Sequence, residues 1–216
     1  SADAIGKLPD TNVSEALQRI PGVSIERDQG EGRFVSVRGL SPDLNSVSIN
    51  GMQTPSPESG RRAVALDVIP ADLVESLIVT KSLTPDMDAD AIGGSVEVKS
   101  ISGFDRDDFF FSINTEGSLD QHTGESSPKF ATTASNVFSL GDGDDNLAIA
   151  GAISWFERDF GSDNVETGGK WKFDDDSTKL EELEQRNYSL SRERLGAALN
   201  IDYKFSDQHT VYMRSL

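Results

Sequence analysis

The chain has 216 residues, a net charge of -17, 36% hydrophobic residues and no cysteine. No segment approaches the roughly 20 apolar residues that a membrane-spanning helix needs, which excludes a helical membrane protein but not a membrane β-barrel. The negative charge opposes binding of nucleic acid, which favours a basic face. The absence of cysteine excludes structural zinc–thiolate sites.

A short helix is predicted over residues 12–20. Asn12 can cap its N-terminus, and Glu15 follows three residues later, at the spacing of a capping box. Val13, Ala16, Leu17 and Ile20 share one helical face. A Pro-Gly pair then ends the helix.

Residues 33–51 predict a strand, a short polar crossing and a second strand, in a hairpin-like arrangement. Val35 and Val37 share one face of the first strand, and Val47 and Ile49 share one face of the second. This period of two is typical of half-buried strands. A glycine ends each strand, where a backbone without Cβ can adopt positive φ.

Other elements of the first hundred residues have less marked patterns. Further strands are predicted at 23–27, 77–81 and 95–99, and a second short helix at Pro70, because proline suits a first helical turn. Residues 51–62 form a polar loop with two prolines. This loop is long for a connection in a compact domain, which favours a functional role.

The composition changes near residue 104, where helical patterns end and strands lengthen. Strands are predicted at about 108–118, 129–140, 146–157, 184–205 and 209–216. The connections alternate between long and short, and residues 158–183 are expected to form a very long loop. Long loops on one side and short turns on the other are typical of outer-membrane barrels.

The longest predicted strand, 184–205, has one apolar and one polar face. The apolar face consists of Leu195, Leu199, Ile201, Tyr203 and Phe205, and the polar face of Arg194, Asn200, Asp202 and Lys204. This pattern predicts a lipid-facing side opposite a polar lumen, because side chains in contact with lipid find no hydrogen-bond partners there. A soluble β-sandwich also alternates in this way.

Three motifs together resemble the plug domain of TonB-dependent outer-membrane receptors. They lie around the central stretch, at residues 8–23, 72–81 and 90–99, and the likeness is greatest to the subgroup common in Caulobacter and Xanthomonas relatives. The resemblance implies an α+β plug domain with a small mixed sheet over residues 1–102. Residues 103–216 would then be antiparallel strands of an incomplete transmembrane β-barrel, since five strands cannot enclose a plug.

The resemblance also implies a function, namely TonB-dependent active uptake of a ligand across the bacterial outer membrane. The partners would be TonB, through a segment upstream of Ser1, the outer-membrane lipid and a small polar ligand. In this resemblance the polar loop 51–62 would contact the ligand. Its candidate contacts are Gln53, Glu58, Arg61 and Arg62. Arg38, at a strand end, is expected to lock the plug to the barrel, because a buried charge there needs a partner. The equal alternative is that Arg61 and Arg62 pair with acidic groups of the barrel wall.

An oligosaccharide is the expected cargo, because this subgroup usually takes up carbohydrates and the sequence shows no clear cationic cluster for a ferric chelate. Ferric-siderophore uptake by the same mechanism is the alternative. A secreted, calcium-dependent carbohydrate-binding or adhesive module is the alternative from another class.

Metal and catalytic sites find little support in the sequence. Asp86, Asp88, Asp90 and Glu97 occupy ligand positions of an EF-hand loop, but Ala91 stands where that loop needs glycine. No nucleophile elbow, phosphate loop or complete dinucleotide motif is present. We therefore expect neither an enzyme nor a cofactor or metal site.

Overall fold

The computed structural model describes residues 12–28, 30–85, 87, 91–106, 108–206 and 208–216. Among the described residues of its N-terminal region, 12–101, are one short helix and six strands. These are α1 (Val13–Leu17), β1 (Val23–Asp28), β2 (Glu31–Val37), β3 (Asn45–Ile49), β4 (Met52–Gln53), β5 (Val74–Thr80) and β6 (Gly94–Ser100).

The helix begins where it was predicted but is shorter. The Asn12 carboxamide oxygen accepts a hydrogen bond from the Glu15 amide at 3.1 Å, which confirms the cap. The helix ends at Leu17, because residues 18–22 form the turn that leads into β1. The helix predicted at Pro70 is a single 3-10 turn, Ala71–Leu73, since β5 starts directly after it. Leu73 in this turn is buried.

The strands of the N-terminal region form two sheets. β1 and β2 pair with each other, whereas the second sheet has the order β4-β3-β6-β5, with β3 parallel to β6 and the other pairs antiparallel. The hairpin-like arrangement predicted for residues 33–51 is therefore wrong. Arg38 and Gly39 adopt φ of 56° and 73°, and this turn directs the chain away from β2 towards β6.

One core joins these sheets and the helix. Its fully buried members come from the helix, both sheets and the segment before β5, and they are Val13, Leu17, Val37, Leu66, Val96 and Val98. Burying such side chains contributes roughly 1.5–3 kcal/mol each. The core therefore makes the N-terminal region a packed unit.

The rest of the chain forms one long-stranded antiparallel sheet with the order β13-β12-β9-β8-β7, called here the five-stranded sheet. Its strands are β7 (Phe110–Leu119), β8 (Ser126–Phe138), β9 (Leu147–Glu166), β12 (Glu184–Ser206) and β13 (His209–Ser215). The loop predicted at 158–183 is wrong, because β9 continues to Glu166 and the hairpin β10 (Trp171–Asp174) and β11 (Ser177–Leu180) follows. The sheet does not close on itself within the described residues.

The two faces of the five-stranded sheet differ as predicted. On β12, Leu195 and Leu199 are exposed, whereas Ala198, Asn200 and Asp202 are buried against the N-terminal region. β9 alternates in the same way, with small residues beneath the N-terminal region. None of the helices that the structure describes is long and apolar enough to cross a membrane.

Small residues of the sheet allow the N-terminal region to approach closely. Leu73 and Ile101 pack on alanines of β9 and β12, namely Ala150, Ala152 and Ala198. Gly196 lies beside them: a Cβ there would be 2.8 Å from Leu73 Cδ1 and 3.0 Å from Pro70 Cγ. Contacts this short require the neighbouring atoms to move.

We expect Gly196→Ala to destabilise the seating of the N-terminal region by about 1–3 kcal/mol, because the added methyl group overpacks this contact. Urea unfolding of the purified protein measures the effect. Gly117→Ala is the matched control, since no atom lies within 4 Å of a Cβ at that strand position. Equal stability of the two variants would contradict the described contact.

Candidate functional site

A buried carboxylate of the N-terminal region binds three arginines of the five-stranded sheet. Glu31 begins β2, and its side chain is only 1% exposed. Its Oε1 lies 2.9 Å from Nη1 of Arg158, and its Oε2 lies 2.6 Å from Nη1 of Arg192 and 2.5 Å from Nη2 of Arg194. Arg158 and Arg192 also lie over the ring of Phe160. We call these three arginines and Glu31 the Glu31 cluster.

The cluster keeps Glu31 ionised despite its burial. Burial alone would raise the pKa of the carboxyl group, but hydrogen bonds and charge from Arg194, followed by hydrogen bonds from Arg192 and Arg158, outweigh it. Together they lower the pKa of Glu31 from 4.5 to about 2. The ion pairs therefore persist throughout the physiological pH range.

A second polar contact lies in the middle of the interface. Asp72, in the turn before β5, lies 2.9 Å from Nζ of Lys129 on β8 and accepts a hydrogen bond from Ser154 on β9. The side chains of Asp72 and Lys129 are 9% and 8% exposed. Here too a carboxylate of the N-terminal region is neutralised by a cation of the sheet.

A third polar contact joins the end of β6 to β12. Asn200 donates hydrogen bonds to the hydroxyl of Ser100, at 2.8 Å, and to the carbonyl of Ile101. The hydroxyl of Ser102 donates to Asp202 at 2.8 Å. The interface thus combines a small apolar contact with three groups of polar contacts.

The loop residues predicted to contact ligand lie close together. Gln53, Arg61 and Arg62 line an open pocket of about 290 Å³, together with residues of β3. Glu58 is outside that lining and pairs with Arg33 at 2.7 Å. Three of the four predicted contacts therefore line a polar pocket, although ligand binding there stays a prediction.

Arg61 pairs with acidic groups of its own region. It lies 3.4 Å from Asp43 and 3.6 Å from Glu26, and its guanidinium is 4.4 Å from the ring centroid of Phe34. Hydrogen bonds from the amides of Arg62 and Ala63 lower the pKa of Asp43, and the hydrogen bond to Asp43 raises the pKa of Arg61. These contacts with Asp43 hold the C-terminal end of the 51–62 loop in place.

Arg38 makes its hydrogen bond inside the N-terminal region. Its Nη2 donates to the carbonyl of Gly93 at 3.1 Å. Its predicted role in locking the two parts of the protein stays a prediction. The N-terminal residue that binds three arginines of the sheet is Glu31, which was not predicted as a site residue.

The EF-hand-like loop lies mostly beyond what the structure describes. Asp86, Asp88 and Asp90 are outside the described residues, and Glu97 lies in β6, 3.9 Å from Lys99. In the described ranges, no group of three or more His, Asp or Glu side chains is placed to hold a metal ion.

The seating of the N-terminal region should weaken in acid because of Glu31. Since its pKa is lower in the folded protein than the ordinary 4.5, its contribution is complete above pH 4.5 and is lost as the pH falls towards 2. The loss is expected to be about 3 kcal/mol. Urea unfolding from pH 5 to 2.5 measures it, with Glu31→Gln as the control that lacks this titration. Parallel pH profiles of the two proteins would contradict the assignment.

The comparisons with known proteins identify the N-terminal region. The TonB-dependent Receptor Plug Domain family matches residues 1–95. No curated protein matches the chain significantly.

Solved receptors have the same fold across nearly the whole chain. The siderophore receptor PirA of Acinetobacter baumannii matches with a TM-score of 0.65 and 15% identity, over 99% of this chain and 30% of that one. The ferric enterobactin receptor PfeA of Pseudomonas aeruginosa, as its G324V mutant, gives 0.68 and 14%, over 98% and 31%. PirA of Pseudomonas aeruginosa gives 0.52 and 16%, over 95% and 37%.

The chain therefore spans about a third of the length of these receptors. At such low identity the likeness shows the fold, which is a plug domain followed by antiparallel barrel strands that form no closed barrel within the described residues. The expected fold class is thus confirmed, whereas the Caulobacter and Xanthomonas subgroup is not. Residues 1–95 thus match the plug family of TonB-dependent receptors, and the strands after them have the fold of the barrel strands in solved receptors.

Proposed function

We propose that the protein takes up a polar ligand across the bacterial outer membrane by TonB-dependent active transport. The observation that carries this proposal is a plug seated by ion pairs on the polar face of the barrel strands. In this function ligand binds from outside, TonB pulls on the receptor, and the plug rearranges. The process requires binding and movement, without covalent chemistry.

We place the boundary between plug and barrel at residue 102. β6 ends at Ser100, and a 3-10 turn at Gly103–Asp105 precedes the first barrel strand. This arrangement supports residues 1–102 as the plug and 103–216 as barrel strands.

The ligand pocket that we propose is the one lined by Gln53, Arg61 and Arg62. Its amide and guanidinium groups suit the hydroxyl and carboxylate groups of polar ligands, with Glu58 nearby to hold the loop through Arg33. An oligosaccharide is the ligand that the subgroup resemblance favours.

A ferric siderophore is the second candidate, and one observation favours it. The fold gathers Arg158, Arg192 and Arg194, the kind of cationic cluster that the sequence did not reveal. Two of the similar structures are described as siderophore receptors and another as a ferric enterobactin receptor.

Uptake by cells carrying the complete receptor tests this function. We expect accumulation of either a fluorescent oligosaccharide or a radioactive iron siderophore, lost when the receptor or TonB is deleted. Arg62→Ala should weaken binding of that ligand about tenfold, because a charge-assisted hydrogen bond is lost. Arg27→Ala is the matched control, since Arg27 is a plug arginine that pairs with Glu15 away from the pocket. Uptake that continues without TonB would contradict the proposal.

A further inference from the structure

The arginines of the Glu31 cluster are placed by the barrel strands and not by the plug. β9 and β12 pair in continuous register, and Arg192 stands directly opposite Arg158. Arg194 lies two residues along β12, so it points to the same face as Arg192. The three guanidinium groups would therefore stay together if the plug moved away.

Such an arrangement of cations needs an anion. Like charges directly opposite each other on neighbouring strands are destabilising. Glu31 is that anion in the seated plug, and in the described part of the chain no other carboxylate lies within 4 Å of the guanidinium groups of Arg158 or Arg194. The planar fork of a guanidinium fits the two oxygens of a carboxylate. When Glu31 leaves, another carboxylate can take the same position.

The cluster also lies where a ligand could reach it. Arg158 and Arg192 are 27% and 21% exposed, whereas Arg194 is 12% and Glu31 only 1% exposed. β9 and β12 continue beyond these arginines to the pair Glu166 and Glu184. On the same face of that extension lie further polar side chains, and these are Ser162, Asn164, Arg186 and Tyr188.

We propose that Arg158, Arg192 and Arg194 form a carboxylate-binding site on the barrel wall, occupied by Glu31 at rest and open to the carboxylate of a ligand when the plug is displaced. The inference deepens the proposed transport function, on which it rests, and assigns a carboxylate to the ligand. That carboxylate could belong to an acidic sugar or to a hydroxycarboxylate chelate of iron.

Citrate binding to the complete receptor in detergent tests the site. Calorimetry should show citrate binding at least tenfold more tightly to Glu31→Ala than to the unmodified protein, because the substitution empties the site. Asp28→Ala is the matched control, since it removes a plug carboxylate that pairs with Arg33 of the plug itself. Adding Arg194→Gln to Glu31→Ala should abolish the gain. No gain in Glu31→Ala, or a gain that survives the loss of Arg194, would overturn the proposal.

A second measurement covers the case in which Glu31→Ala does not fold. In the unmodified receptor, citrate should lower the urea midpoint of plug release more than sodium chloride of equal ionic strength, since citrate binds only the released state. Arg194→Gln should remove this difference, and an unchanged difference would overturn the proposal.

Two further titrations of Glu31→Ala identify the source of the carboxylate. A digalacturonate represents the acidic sugar, and an iron(III) hydroxycarboxylate chelate represents the siderophore. Binding of at least one of these two ligands would support the proposed site. If neither ligand binds, the proposal is overturned. These assays measure binding and not uptake, so they separate the two proposals. A receptor that binds citrate in this way but takes up no ligand in cells would refute the transport proposal and leave the carboxylate site standing.

Discussion

The position of the plug on the barrel strands depends on one buried carboxylate, which forms ion pairs with three arginines of those strands. Taking a charge out of water costs several kcal/mol unless partners with good geometry replace the lost hydration. Glu31 has such partners only when β2 lies against β9 and β12, since all three arginines belong to those strands. The cluster therefore specifies one position of the plug, and any displacement leaves charges unpaired.

The rest of the interface also consists mainly of polar contacts, with a small apolar contribution. Leu73 and Ile101 pack on three alanines, and Gly196 provides the space that Leu73 and Pro70 occupy. Around this contact, Asp72 meets Lys129, and Asn200 binds the end of β6. An interface of polar contacts would suit the plug movement that the proposed transport requires, because water can replace its hydrogen bonds when the plug shifts. A large apolar interface would offer no such replacement.

The period of two explains why much of the fold could be predicted from the sequence. Leu195 and Leu199 alternate with Ala198 and Asn200, and this pattern alone assigns the two faces of β12. The cap at Asn12 and the starts of the long strands were equally local signals. What failed depended on long-range pairing. The sequence could not reveal that β2 pairs with β1 while β3 joins β6, because both partners fit the same alternation.

The Glu31 cluster shows why the site was only partly predictable. Arg158 was assigned to a loop, since the residues after 157 are mostly polar and do not indicate that β9 continues to Glu166. Glu31 was not among the predicted site residues, because nothing near it in sequence indicates its partners 127 to 163 positions away. Arg194 was correctly assigned to the polar face. Only the register of β9 and β12 brings these residues together.

A double-mutant cycle between Glu31 and Arg194 tests this account most directly. Glu31→Gln, Arg194→Gln and the double variant would be compared with the unmodified receptor by urea unfolding of the plug. If the buried ion pair seats the plug, the coupling energy should be about 2–3 kcal/mol. Additive effects, with a coupling below about 0.5 kcal/mol, would contradict it.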